Sequence, residues 1–384
     1  MAVLRALALN AGSSTLKAAL YELDPGARLA EPGACRWRAA VEWDPADGDP
    51  AAQELLRAVP GEVDVVGHRV VHGGPRFRRP ERITPGAKQA IGELAAWAPL
   101  HNPAALRAIG AAERFAGAAT PQVAVFDTAF HGDLPPGAHT FAGPREWLER
   151  GLRRFGFHGI SHEYAAHRAA RLLGRPLAGL RLVTCHLGSG CSLAAVRDGR
   201  SVDTTMGFTP LDGLVMGTRS GALDPGLILH LLRQPGASVD TLDALLNHRS
   251  GLRGLSGGSG DLRDVLRARA AGDPAAELAF EVYVHRLRSQ IGAMLGALGG
   301  LDGIVFTAGV GENSAAVREA ALAPFEFLGV RLDAERNAQA EPDADVAAPG
   351  APVRVLVIRA REEWAIARAA ARVARAPAPV PDQR

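Results

Sequence analysis

Five polar residues stand where apolar, strand-like runs give way to glycine or other small residues. They are Arg69 in GHRVVHGG, Asp127 in VAVFDTAF, His158 in RRFGFHG, His186 in VTCHLGSG and Arg219 in VMGTRSG. Taken singly, each reads as a structural ion pair or a satisfied core histidine. Taken together, two arginines and two histidines favour an anion held by forked and neutral donors. Ligands collect at such strand ends in open α/β sheets. Glycine-containing loops at 10–15, 186–190, 254–261 and 307–313 add backbone N–H groups and short hydroxyls that can approach a phosphate closely. The first of these, Asn10-Ala11-Gly12-Ser13-Ser14-Thr15, equally fits a tight hairpin turn.

Other chemistries fit less well. No Gly-Lys-Ser/Thr occurs, which excludes a P-loop. GLSGG at 254–258 has the spacing of a hydrolase nucleophile elbow around Ser256, but the preceding LNHRSGLR is not a strand. The one histidine after it, His285, falls inside an apparent helix. His162 and His167 are five residues apart rather than four, so they do not share a helix face as a zinc-binding pair would.

The elements that must position these residues alternate between strand and helix, which argues an α/β fold. Apolar runs at 2–10 and 15–23 read as a hairpin, and those at 63–74, 122–130, 303–309 and 353–358 as buried strands. Helical periodicity covers 50–58, 85–97, 103–115, 161–173 with Ser161 as its cap, 261–270 and 274–298, and a last helix follows EEWAIA. LRLVTCHLGSGCSLAAVRDG, 180–199, repeats the opening hairpin: at a spacing of 176 residues Gly12-Ser13 meets Gly188-Ser189 and Ala18-Ala19 meets Ala194-Ala195. An internal duplication with two facing phosphate loops follows.

At 384 residues and 47% hydrophobic, the chain suggests two domains. A net charge of +2 gives no pull towards nucleic acid or membrane. Three cysteines without a CxxC pair indicate neither a disulfide framework nor zinc. The N-terminal apolar stretch is too short for a signal peptide and no window approaches a membrane span, so a cytoplasmic protein is expected. All but two basic residues are arginines, so a lone Arg says little and Lys17 somewhat more.

NAGSSTLK, HRVVHGG, APLHNPA, VFDTAFH, RRFGFHG, CHLGSG, DTTMGFTPLDGLVMGTRSG, FTAGVGENS and EEWAIA, in that order and across nearly the whole chain, resemble the acetate kinase family. The resemblance implies two duplicated ribonuclease-H-like domains of the actin-like ATPase fold flanking a central cleft. These would be an N-terminal domain at 1–147, a nucleotide-binding domain at 148–363, a helix at 364–375 returning to the first domain, and a disordered tail at 376–384. It further implies reversible phosphoryl transfer from ATP to acetate, giving acetyl phosphate and ADP, in a homodimer. Asn10 and Glu362 would hold Mg²⁺, with Mn²⁺ as an alternative. Lys17, Ser13 and Ser14 would approach the ATP phosphates. His186, Leu187, Gly188, Ser189 and Gly190 would form the nucleotide site with Asp261, Leu262, Arg263, Gly309, Val310, Gly311, Glu312 and Asn313. Arg69 would bind the substrate carboxylate, with Val71, Leu100, Phe157 and Pro210 around its methyl group and His101 close by. Asp127, His158 and Arg219 would surround the transferred phosphoryl. The chain departs from the family pattern at Ile160, Ser189, Ala222 and Arg361, the last beside Glu362.

Such chemistry needs no base, because a carboxylate is already ionised at neutral pH. It needs charge management as two anions meet, and domain closure to exclude competing water. Asp127 is then expected to orient Arg219 or the substrate rather than to move a proton. The alternatives are a propionate or other short-chain acyl kinase and, from a different class, a chaperone-like nucleotide-switch ATPase.

Overall fold

The computed structural model describes residues 3–12, 15–24, 26–43, 50–99 and 101–376. Ser13, Ser14, Leu100 and the tail from 377 onward lie outside the described residues.

The chain divides into two compact units. The first comprises the described residues of Met1–Gly132, Gly159–Tyr164 and Arg361–Arg384, and the second Asp133–His158 and Ala165–Ala360. The expected boundary after 147 therefore falls at 132. Residues 133–158 bond to the segment that follows strand Arg200–Thr204 in the second unit: Phe155 N–H donates to the Gly207 carbonyl at 3.0 Å, and Arg154 Nη1 to the carbonyls of Thr205 and Met206 at 2.9 and 3.0 Å.

Each unit is built on one six-stranded sheet. In the first, β1 (Leu4–Ala11), β2 (Thr15–Leu23) and β3 (Cys35–Glu42) form an antiparallel meander. β4 (Val65–Val70) runs parallel to β1, β6 (Gln122–Phe126) runs parallel to β4, and the short β5 (Glu81–Arg82) closes the edge. The order is β3-β2-β1-β4-β6-β5. In the second unit, β7 (Arg181–Leu187), β8 (Cys191–Arg197) and β9 (Arg200–Thr204) repeat the meander. β10 (Gly303–Thr307) and β12 (Arg354–Val357) are the parallel strands, with β11 (Ala344–Asp345) at the edge. Its order, β11-β12-β10-β7-β8-β9, is that of the first sheet strand for strand.

The duplication is real, but its register is not a constant 176. Ala11 pairs with Leu16, whereas Leu187 pairs with Cys191, so the second turn is one residue shorter. The first strands of the hairpins correspond at 176 residues and the second strands at 175. Asn10 therefore corresponds to His186 and Lys17 to Ser192, while the Ala18-Ala19 match with Ala194-Ala195 lies out of register.

The central strands read as unbroken apolar runs because both faces are covered. Leu7, Leu9, Leu16, Leu20 and Val66 pack with Leu55 and Ala108 on one side of the first sheet. On the other side helix Glu362–Arg375 crosses β4 so closely that a Cβ on Gly67 would stand 2.8 Å from Ile366 Cγ2 and 2.9 Å from Ala370 Cβ. Trp364 Nε1 donates to the Leu29 carbonyl at 2.9 Å and ties the helix to this unit. β3 was not expected, since its side chains alternate between partly buried and exposed along CRWRAAVE in a stretch rich in Pro, Ala and Gly. The helix expected at 161–173 begins earlier, at Gly159, and its cap position is His158 rather than Ser161. Ser161 lies buried inside the first turn.

Candidate active site

Parallel strands end together, and in the first unit the ends of β1, β4 and β6 gather Asn10, Arg69 and Asp127. Arg69 Nε donates to Asp127 Oδ1 and Oδ2 at 3.1 and 3.0 Å, and Nη2 donates to Oδ2 at 2.6 Å. Nη1 donates to Asn10 Oδ1 at 3.2 Å. Three of the five guanidinium N–H groups are thus committed, which leaves two among the described residues. Asn10 Nδ2 in turn donates to Glu362 Oε2 at 2.8 Å and more weakly to Glu363 Oε1 at 3.4 Å, both carboxylates standing in the first turn of helix Glu362–Arg375.

Burial opposes the Arg69 cation, but Asp127, Glu362 and Glu363 more than offset it and hold the guanidinium charged. Burial likewise pushes the Asp127 carboxyl up, and the Arg69 fork pulls it back. Both Asp127 oxygens accept, which is the pattern of a carboxylate and not of a carboxylic acid. Asp127, Glu362 and Glu363 thus bring three carboxylates to the Arg69 guanidinium, and their oxygens are hard donors. Among the described residues no group of three or more His, Cys, Asp or Glu is placed to hold a metal ion by itself. Lys17 on β2 is exposed and sits directly across from Asn10, hence on the same sheet face. Arg361, which departs from the family pattern, donates from Nη1 to Tyr164 Oη at 2.8 Å.

Val71 is buried, and His101 occupies the cap position of helix Asn102–Ala116. On β4, paired with Leu9 of β1, the core histidine His68 pairs Nε2 with Gln122 Oε1 at 2.7 Å, and burial lowers it to about 4.

In the second unit the glycine turn between β7 and β8 is the centre. Gly188 N–H bonds the Gly190 carbonyl at 3.0 Å, and exposed Ser189 accepts from Gly217 N–H at 3.1 Å through its carbonyl. Arg219 and His158 close over Gly190: a Cβ there would stand 2.5 Å from Arg219 Nη2 and 3.4 Å from His158 Nε2, so a side chain at 190 would displace the guanidinium tip. Arg219 is anchored by Nη1 donating to the Pro210 carbonyl at 2.7 Å. His158 stacks on His186 with ring centroids 4.1 Å apart, and its Nδ1 lies 2.9 Å from Ser192 Oγ. Phe157 and Leu187 are buried beside them in sequence. Asp127 was expected to orient Arg219 or the substrate; the partner it holds is Arg69.

The remaining residues expected around the nucleotide fall on two short stretches at helix starts. Asp261 caps helix Leu262–Ala270 by accepting from Arg263 N–H at 2.9 Å, and it forms a fork with the Arg263 guanidinium that holds its carboxyl down to about 2. Leu262 is buried. Gly309, Val310, Gly311, Glu312 and Asn313 make up most of the short helix Ala308–Asn313, whose first residue adopts a left-handed φ of 65°. Asn313 Nδ2 donates to the Gly309 carbonyl at 2.8 Å, and Glu312 Oε1 accepts from Ala360 N–H at 2.7 Å.

Arg318 was not foreseen. It is fully buried, and its guanidinium donates to the carbonyls of Gly311, Glu312 and Asn337 at 2.7–3.0 Å and to Asn337 Oδ1 at 2.7 Å. Burial lowers it to about 10, so it stays a cation and locks the end of the glycine helix. Arg154 does the same for the loop preceding Arg219, donating to the carbonyls of Thr204, Thr205 and Met206. Ser192 was passed over as well. In an arginine-rich chain neither arginine stands out, and Ser192 hides inside a strand. The one available signal was the hairpin repeat, read with its correct register.

The described residues contain no helix long and apolar enough to cross a membrane. The profile of the acetokinase family matches residues 51–368. The chain is 51% identical to the acetate kinase of Gloeobacter violaceus and 52% identical to that of Nostoc sp., in each case over 95% of this chain and 98% of the relative. Among solved structures, Porphyromonas gingivalis acetate kinase superposes with a TM-score of 0.85 at 35% identity, covering 96% of this chain and 99% of that one. A propionate kinase from Francisella tularensis gives 0.83 at 34%, with the same coverage. The chain belongs to the acetokinase family.

Proposed function

We propose that this protein transfers the terminal phosphoryl group of ATP to acetate, reversibly and by direct in-line displacement, giving acetyl phosphate and ADP. The observation that carries this reading is the Arg69 fork: Asp127 and Asn10 fix the guanidinium at a strand end while leaving two N–H groups to grip a substrate carboxylate. The carboxylate is its own nucleophile, so Asp127 orients Arg69 and moves no proton. The glycine turn 188–190, with Arg219 and His158 over Gly190, supplies donors to the charge that spreads over the equatorial phosphoryl oxygens. Each such donor contributes about 2.7–4 kcal/mol of transition-state stabilisation in comparable sites. Lys17 with Ser13 and Ser14, Asp261 with Arg263, and Gly309–Asn313 complete the nucleotide contacts.

The negative, oxygen-rich set of Glu362, Glu363 and Asn10 suits Mg²⁺, or Mn²⁺ in its place, which takes few protein ligands and fills the rest with water and phosphate. When bound, the ion neutralises charge on the ATP phosphates. A homodimer is part of the same reading: helix Pro225–Leu232, PGLILHLL, has no buried residue, and Leu227 and Leu229 are 42% and 53% exposed. An apolar helix left in that state fits a face covered by a second copy of the chain. A cytoplasmic setting fits the cytosolic pool of ATP.

A propionate kinase is a second reading, supported by the Francisella tularensis structure, which is nearly as similar as that of the acetate enzyme. Apolar pockets separate acids that differ by one methylene by only about 1–3 kcal/mol. Incubation of ATP and Mg²⁺ with each C2–C5 acid, trapping the acyl phosphate as hydroxamate, decides the matter. The highest kcat/KM is expected for acetate. ATP turnover indifferent to every acid would point to a nucleotide switch and end this proposal.

A further inference from the structure

Ser192 is fully buried and takes no part in the chemistry proposed above, yet it touches a residue that the chemistry needs. It lies on β8 directly across from His186 on β7, so both side chains share one face of the sheet. His158 meets both, its ring stacked on His186 and its Nδ1 2.9 Å from Ser192 Oγ. The other ring nitrogen, Nε2, lies over Gly190 on the side where Arg219 Nη2 also lies. One imidazole nitrogen is thus engaged by a hydroxyl, and the other stands beside a guanidinium at the glycine turn.

We propose that Ser192 is a positioning residue: its hydroxyl donates to His158 Nδ1 and thereby keeps the ring hydrogen on Nε2, so that imidazole and guanidinium offer donors together to a phosphoryl oxygen. A neutral imidazole has one donor and one acceptor nitrogen, and the partner of one nitrogen sets the role of the other. With the hydrogen on Nδ1 instead, a lone pair on Nε2 would face the phosphoryl oxygen and repel it. A buried hydroxyl places its hydrogen on an acceptor. His158 itself adopts φ 56° and ψ 22°, a left-handed region uncommon for a residue with a side chain.

The duplication adds a separate reason. The position of Ser192 is that of Lys17 in the first hairpin, where a long cation reaches solvent. In the second hairpin a side chain of two heavy atoms at that register leaves room for the His158 ring. This role presupposes the phosphoryl-binding reading of His158 and Arg219.

The test uses protein labelled with [¹⁵N]histidine and long-range ¹H–¹⁵N correlation spectra, with His158 assigned by its loss in H158Q. In the wild type, His158 is expected to carry hydrogen on Nε2 alone. In S192A the Nδ1–H form appears, and kcat for acetyl phosphate falls about tenfold while both KM values stay within about twofold. A wild-type spectrum with hydrogen on Nδ1 overturns the proposal, as does an S192A protein that keeps either the wild-type spectrum or the wild-type kcat. The spectrum needs no turnover. If no protein forms acetyl phosphate, the phosphotransfer reading fails while the wild-type tautomer still judges Ser192.

Discussion

Replacing Asp127 by Asn separates the two roles a carboxylate can play beside Arg69. The wild-type pair is nearly dry, with side-chain exposures of 2% for Asp127 and 16% for Arg69, and joins through Nε and Nη2 at 2.6–3.1 Å. An amide keeps one oxygen acceptor and turns an NH₂ group towards a cation. A hydrogen bond to a charged group is worth about 1.5–3 kcal/mol, and removing one member of a buried ion pair costs about 3–5 kcal/mol. Glu362 and Glu363 still act on the Arg69 charge, which places the expected loss near the lower end, at about 2–3 kcal/mol. Scanning calorimetry should then show Tm lower by about 4–12 °C. Without its fork the guanidinium no longer presents its remaining N–H groups at a fixed angle, so KM for acetate should rise about 10–100-fold and kcat change less. Steady-state kinetics by the hydroxamate assay at several pH values read both parameters. Wild-type Tm and acetate KM combined with a collapsed, pH-dependent kcat would refute the orienting role and restore a proton-transfer role to Asp127.

Acid should destabilise the fold through His68, whose folded value of about 4 lies below the 6.5 of an exposed imidazole. Unfolded chains take the proton first as pH falls, so the neutral ring's contribution is complete above about pH 6.5 and about 3 kcal/mol is lost on the way to pH 4. Urea midpoints of the wild type and H68L across this range check it, the variant giving the flatter profile. Gly67→Ala should cost about 1–3 kcal/mol by pushing Ile366 and Ala370 off β4, seen as a lower Tm without a change in KM for ATP. Leu227→Glu with Leu229→Glu should shift the protein from dimer to monomer in sedimentation velocity while leaving its circular dichroism unchanged.

Arg69, His186 and Asp127 were legible because each breaks or ends an apolar run that becomes a buried strand, β4, β7 and β6 in turn; His158 and Arg219 read as strand ends too, but both lie in loops, His158 at the cap of helix Gly159–Leu172. The parallel strands were legible for the same reason. What escaped depends on partners distant in sequence. Arg318 acquires its meaning from Asn337 and the carbonyls of Gly311 and Glu312, and its own helix, AAVREAAL, is an ordinary amphipathic stretch. β3 is an edge strand whose alternation is masked by Ala and Arg, and the two residues of β11 are too few to leave a periodic signal. The start of helix Gly159–Leu172 was misplaced because a serine is the usual cap, whereas here the cap position is taken by a left-handed histidine.

The one-residue difference between the two hairpin turns constrains any attempt to recombine the halves of this molecule. A chimera designed by counting residues would set Lys17 on the position of Leu193, exchanging an exposed ammonium for a side chain with no solvent exposure. A single codon in a turn decides which alternate residues of the next strand point inwards. Reconstruction of the ancestral half should therefore open its gap between the strands and nowhere else.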